Sequence, residues 1–207
     1  MQASALTAWE LFCRRGDRLL FGSLDLWVES GGAVHLTGPN GIGKSSLLQI
    51  LAGLRTPTRA EALTAAGIKQ GRVEWLGRIG LLDGRCTLDE VTPLETALAF
   101  WTRLDGASRI DQAAAMERMG LAALGDVPVR YLSTGQRKRA GFARLLIQKA
   151  DHWLLDEPLN GLDSDGVALV EELIAERRAS GGAIIVASHQ AIALPDAQLL
   201  DLRDHPW

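Results

Sequence analysis

An α/β fold, with a parallel sheet linked by crossover helices, is predicted by three features of this sequence. Apolar runs of strand length lie at 33–37, 153–156 and 184–188. Stretches with helical spacing of apolar residues separate them, at 44–54 and 165–179. A glycine-rich turn over 38–43 joins the first strand to the first helix. Strand, glycine loop, helix, strand, helix, strand is the order that parallel strands with crossovers require.

The elements follow along the chain. Residues 1–30 alternate apolar and polar positions around Gly16 and Gly22, as short antiparallel strands joined by turns would. The helix at 44–54 puts Leu47, Leu48, Leu51 and Leu54 on one face, with Gly53 near its end. A polar, Ala-rich surface excursion is expected over 56–70, then two strands at 71–75 and 79–82. From 92 to 124 the pattern turns helical. Thr92 is placed to cap, with Glu95 as its capping-box partner, and Leu94, Leu98 and Trp101 share a face. A second helix runs over about 110–119 and closes at Gly120, and helix resumes after Ser133. This helical stretch reads as an insertion. A single domain over 1–207 is expected, with a core at 1–82 and 141–207 and a helical subdomain at about 83–140. No repeats or low-complexity linkers are present.

At 207 residues, 47% hydrophobic and 23% charged, the chain can bury a core without staples. A formal net charge of −3 argues against a nucleic-acid binder that works by broad phosphate neutralisation. Cys13 and Cys86 lie far apart, outside any metal-ligand spacing, and read as reduced thiols of a cytosolic protein. Residues 1–9 lack the basic start and apolar run of a signal peptide. No apolar stretch approaches the roughly 20 residues that span a bilayer, so any membrane role requires a partner.

Gly38-Pro39-Asn40-Gly41-Ile42-Gly43-Lys44-Ser45, followed by Ser46, matches G-x-x-x-x-G-K-[ST] in full. The chemistry is phosphate binding: the backbone must curl with its N–H groups inward around anionic oxygens, which glycine permits. Lys44 reaches the β- and γ-phosphates and the Ser45 hydroxyl ligates Mg²⁺. The helix that begins there adds about half a positive charge beneath the anion. A nucleoside triphosphate with Mg²⁺ is the implied substrate and metal. A second strand ends in Asp156-Glu157, where Asp156 suits Mg²⁺ and Glu157 suits a base that takes a proton from attacking water. By itself Asp-Glu-Pro reads equally well as the opening of a loop; after a phosphate loop the functional reading prevails.

Leu132-Ser133-Thr134-Gly135-Gln136 opens a helix, with Ser133 as its N-cap, and Arg137, Lys138 and Arg139 follow. It closely resembles the Leu-Ser-Gly-Gly-Gln signature of ABC ATPases, with Thr134 in place of one glycine. The motifs run in that family's order from 38 to 189, so the resemblance covers nearly the whole chain. It implies a P-loop NTPase fold of the ABC type, with an N-terminal antiparallel β subdomain and an inserted helical subdomain. It also implies a head-to-tail dimer in which Ser133, Thr134, Gly135 and Gln136 bind ATP held by the opposite subunit. His189, after the strand 183–188, stands where the family carries its switch histidine, and Asp163 in Asn-Gly-Leu-Asp stands in the D-loop that crosses the dimer interface.

Two positions depart from the family pattern. Arg15, with Phe12 nearby, occupies the place of the aromatic residue that stacks on adenine, and Asp83-Gly84 stands where the Q-loop glutamine belongs. A guanidinium plane can stack on a base, so Arg15 joins the expected ATP-binding residues. The residues after Gln136, the run Asp-Glu-Pro-Leu-Asn-Gly-Leu-Asp and Ser-His-Gln together resemble one subfamily, the ATP-binding subunit of the haem exporter of bacterial cytochrome c biogenesis. That resemblance implies transmembrane partner subunits, peripheral attachment at the cytoplasmic face of the inner membrane, and no nucleic acid. An importer ATPase, a soluble ABC ATPase of iron–sulfur assembly and a non-hydrolysing regulatory module are the alternatives. Glu157 and His189 together weigh against the last.

Overall fold

The computed structural model describes residues 4–58, 71–84 and 87–206. Strands β1 (Ser4–Arg15) and β2 (Arg18–Glu29) form one long antiparallel hairpin whose tip pairs Arg15 with Arg18. Gly16 supplies the positive φ of +60° that a two-residue hairpin turn needs. Gly22 is no turn; it lies inside β2. The ladder instead bends at register shifts, near which Glu10 and Ser23 hold positive φ. Strand β4 (Arg72–Trp75) pairs with the other edge of β1.

The second sheet is parallel, in the order β5 (Ile79–Leu82), β6 (His152–Asp156), β7 (Ile184–Ala187), β3 (Ala33–Thr37), β8 (Gln198–Asp201). Its side chains divide by strand alternation between two cores. Trp153, Leu155, Ile184 and Val186 face one way, and Leu154, Ile185, Val34 and Leu36 the other. Both faces are therefore covered, as a parallel sheet requires. The antiparallel sheet and α1 (Lys44–Leu51) cover one face. Helices α2 (Leu94–Leu104), α3 (Arg109–Arg118), α4 (Thr134–Gln148) and α5 (Ser164–Ala179) contribute to the core on the other. Trp153 anchors that core at 1% exposure, with the Phe142 ring 6.3 Å away edge-on and the Arg177 guanidinium 5.1 Å over its face.

Two helix boundaries differ from the sequence pattern for identifiable reasons. Helix α1 stops at Leu51 because Gly53 turns left-handed, and the amides of Gly53 and Leu54 bond back to Ile50 and Gln49. Leu54 is thereby thrown outward, 72% exposed, off the apolar face. Thr92 does not cap α2. Its hydroxyl bonds the Asp89 carbonyl, and the first-turn amides of Leu94 and Glu95 are satisfied by the carbonyls of Val127 and Gly125. Ser133 does cap α4, accepting from the Gln136 amide at 3.2 Å while the Gln136 side chain accepts from the Ser133 amide at 2.8 Å. Most of the expected excursion over 56–70, and Cys86, lie outside the described residues. Cys13 is buried within the hairpin, on β1 opposite Phe21, and that burial raises its thiol pKa.

Candidate functional site

The sheet order brings three strand ends to one rim. β3 leads into the glycine loop, β6 ends at Asp156-Glu157, and β7, lying between them, leads to Ser188-His189. Gly38, Gly41 and Gly43 hold φ of +123°, +78° and +126°, a region that L side chains rarely adopt. A Cβ at Gly43 would also stand 3.0 Å from the Phe21 ring. The glycines are therefore required by shape, and α1 begins directly from the loop at Lys44 with no side chain capping its free amides.

Lys44 is 7% exposed. Its Nζ donates to the carbonyls of Gly38 at 2.7 Å and Pro39 at 3.3 Å, which closes the loop on itself. Burial lowers its pKa below the ordinary lysine value, with Glu157, Asp156 and Asp201 pulling the other way. The His189 Nε2 lies 3.0 Å from the same Nζ and also contacts the Asn40 carboxamide oxygen. Glu157 sits within 3.6 Å of that imidazole nitrogen, and its carboxylate accepts from the His189 amide at 3.4 Å. The backbone of Glu157 is left-handed, φ +46°, a conformation that costs a non-glycine residue about 1–3 kcal/mol and is concentrated at functional sites.

These groups open onto a cavity of about 650 Å³, of the size that takes a small-molecule ligand. Asn40, Gly41, Gly43, Lys44, Ser45 and Ser46 line it, while Gly38, Pro39 and Ile42 build the loop behind. Arg15 borders it from the hairpin beside Leu20; Phe12 is buried at 5% exposure and is not in the wall. Asp156 and Glu157 line it from β6, and Asp83-Gly84 from the end of β5. Ser45 and Asp156 thus bring two hard oxygen donors to one wall, the donor chemistry that suits Mg²⁺ shared with phosphate oxygens and water.

Of the four signature residues only Thr134 reaches this wall. Gly135 instead packs on Gly161, so closely that a Cβ would stand 2.7 Å from the Gly161 carbonyl. Asp163 is exposed and caps α5, accepting from the Gly166 amide at 2.8 Å. Three partners escaped sequence reasoning. Asn40 reaches His189, Lys138 on α4 donates to the Glu157 carbonyl at 2.9 Å, and Asp201 on β8 approaches Gly38. The Lys138 pKa is lowered by burial, against the pull of Asp156, Glu157 and Asp83. Asn40 stood in the glycine loop and Lys138 in the basic run behind a helix cap, so these two residues were in view although their contacts were not; Asp201 carried no signal.

Residues 21–160 match the family model described as ABC transporter. The chain belongs to the ABC transporter family. It is 50% identical to the cytochrome c biogenesis ATP-binding export protein CcmA of Novosphingobium aromaticivorans, over 99% of this chain and 98% of that one. To the protein of the same name from Zymomonas mobilis it is 46% identical, over 96% of this chain and 85% of that one. Among solved structures, an ABC transporter ATP-binding protein from Pyrococcus furiosus superposes with a TM-score of 0.78 at 22% identity, covering 98% of this chain and 99% of that one. An ATP-binding cassette of an ABC transporter in its ADP conformation gives 0.72 at 20% identity, covering 97% and 88%. At such identities these structures speak for the fold alone. As an ABC family member the chain is an ATP-using ATPase of the kind coupled to transport. Among the described residues no helix is long and apolar enough to cross a membrane.

Proposed function

We propose that this chain is the ATP-hydrolysing subunit of a haem exporter in cytochrome c biogenesis, where hydrolysis drives membrane subunits that release a haem-loaded chaperone. The convergence of Lys44, Glu157 and His189 at the ends of three adjacent strands carries the enzymatic half of this reading. The relatives named for cytochrome c biogenesis and export carry the rest. The cytoplasmic face of the bacterial inner membrane follows as its location, with attachment through transmembrane subunits and no nucleic acid involved.

The glycine loop binds the phosphates through its backbone amides, and Lys44 exchanges its carbonyl partners for β- and γ-phosphate oxygens. Arg15 stacks on the base at the cavity mouth. Ser45 and Asp156 hold Mg²⁺, which supplies charge neutralisation at the phosphates. The Glu157 carboxylate accepts a proton from the attacking water, and His189 orients that water against the γ-phosphate. Ser133 and its neighbours, on the lobe formed by residues 83–140, bind the nucleotide of a second copy arranged head to tail. That Gly135 and Gly161 touch supports this, since signature and D-loop then form one continuous docking edge that includes Asp163.

Glu157→Gln tests the reading. It keeps the shape of the site and removes the proton acceptor, so hydrolysis should fall by about 10²–10⁴-fold. ATP should then hold two copies together, measured by light scattering. Full turnover in that variant would remove the base. Co-purification from membranes tests the exporter: haem-handling membrane proteins are expected, and recovery of soluble partners alone would favour an ATPase of iron–sulfur assembly.

A further inference from the structure

We propose that Lys138 is a positioning residue for ATP hydrolysis: it holds the Glu157 backbone in its left-handed conformation and ties the signature helix to the catalytic loop. This rests on the reading of Glu157 as the base. Of the three basic residues behind the signature, Arg137 bonds the carbonyls of Leu132 and Arg130 and so closes its own loop. Arg139 lies beside Gly120. Lys138 is the one whose half-buried side chain crosses to the strand end, where its Nζ meets the Glu157 carbonyl at 2.9 Å.

The position matters because of what Glu157 must maintain. A glutamate with φ of +46° reverts to an ordinary conformation unless its surroundings over-determine it. Its amide is fixed by the Ala187 carbonyl at 2.8 Å, at the end of the strand that leads to His189. From the backbone its carbonyl takes only a long bond, from the Asn160 amide at 3.4 Å. Lys138 supplies the short, charge-assisted partner that completes the pinning. With both ends of the residue held, the carboxylate has one direction in which to point.

The same contact has a second consequence. Helix α4 touches the loop after β6 at Lys138–Glu157 and again where Thr134 and Gly135 pack against Gly161. A partner that moves the Ser133 end of α4 therefore moves the Glu157 carbonyl with it. Hydrolysis is in this way conditional on how the signature helix is seated.

The test compares Lys138→Met, which keeps the stem and loses the donor, with Lys138→Arg, which keeps a donor, in the full chain with the membrane subunits that co-purify with it. Lys138→Met should lower kcat by about ten- to a hundredfold, with KM for ATP and the melting temperature close to wild type; Lys138→Arg should restore most of the rate. A kcat for Lys138→Met within about twofold of wild type would overturn the inference. Equal losses in both variants that track a lowered melting temperature would also overturn it, since that is a folding effect. Glu157→Gln is measured beside them. Retained turnover there removes the base and this inference together, whereas an inactive Glu157→Gln beside an unimpaired Lys138→Met removes the inference alone.

Discussion

The imidazole Nε2 of His189 and the ammonium of Lys44 lie 3.0 Å apart although 145 residues separate them in the chain. The same nitrogen meets the Asn40 carboxamide oxygen. A neutral imidazole nitrogen either accepts or donates, so the two contacts call for different tautomers. Nε2 therefore serves one of these partners at a time, while Lys44 keeps the Gly38 and Pro39 carbonyls whichever tautomer is present.

It follows that His189→Ala should affect the rate far more than binding. We expect kcat to fall by about two orders of magnitude, the scale of a misplaced reactant, with nucleotide affinity changed by less than about tenfold. Isothermal titration alongside a phosphate-release assay separates the two. An equal loss in both would make His189 a binding residue instead.

Ser133→Ala removes an N-cap, which costs about 1 kcal/mol of stability. If the hydroxyl also serves a nucleotide across a dimer, hydrolysis should drop by much more than that destabilisation accounts for. Denaturant midpoints and turnover measured on one preparation decide this, and a variant with wild-type turnover would leave Ser133 as a cap only.

Gly135→Ala should be more damaging to the fold than its size suggests. The added Cβ would meet the Gly161 carbonyl, a backbone atom that cannot swing aside, and overpacking of this kind costs about 1–3 kcal/mol. A thermal melt indistinguishable from wild type would mean that the two loops separate at little cost.

Asp201 gives a pH signature. Hydrogen bonds from the Arg203 side chain, then from the Arg203 amide, draw its carboxyl down to about 2. A folded pKa below the unfolded value of about 3.9 stabilises the protein above that value, and the contribution fades as pH falls through 2. Asp201→Asn should therefore be less stable than wild type at neutral pH, with the gap closing between about pH 4 and 2. Urea midpoints across that range measure it; a gap independent of pH would assign the effect to shape.

Trp153→Ala should cost about 3–5 kcal/mol, because the cavity it leaves lies under Phe142 and Arg177 in the middle of the larger core. Loss of cooperative unfolding, followed by circular dichroism, is the expected outcome. A loss below about 1 kcal/mol would mean that the site collapses to refill the space.

The parts of this structure that could be read from the sequence are those set by short-range spacing. The glycine loop, the Ser133 cap with Gln136, and the strands ending at Thr37 and Asp156 all announce themselves within about eight residues. Contacts that depend on distant chain were not legible. The carbonyls that satisfy the start of α2 come from Gly125 and Val127, some 30 positions downstream, so Thr92 was the natural but mistaken cap. Strand β8 is four residues long and owes its existence to pairing with β3. The Lys138 contact is with a backbone atom, which no residue type can signal.

The placement of β3 between β7 and β8 bears on how the protein is made. The strand that carries the phosphate loop leaves the ribosome long before its two neighbours, which are encoded about 150 residues later. Until those neighbours emerge, its backbone has no ladder to join and its apolar side chains have only half a core. Loop closure over such separations is slow. A nucleotide that binds only the finished loop therefore adds to stability only once those late strands have closed the sheet around β3.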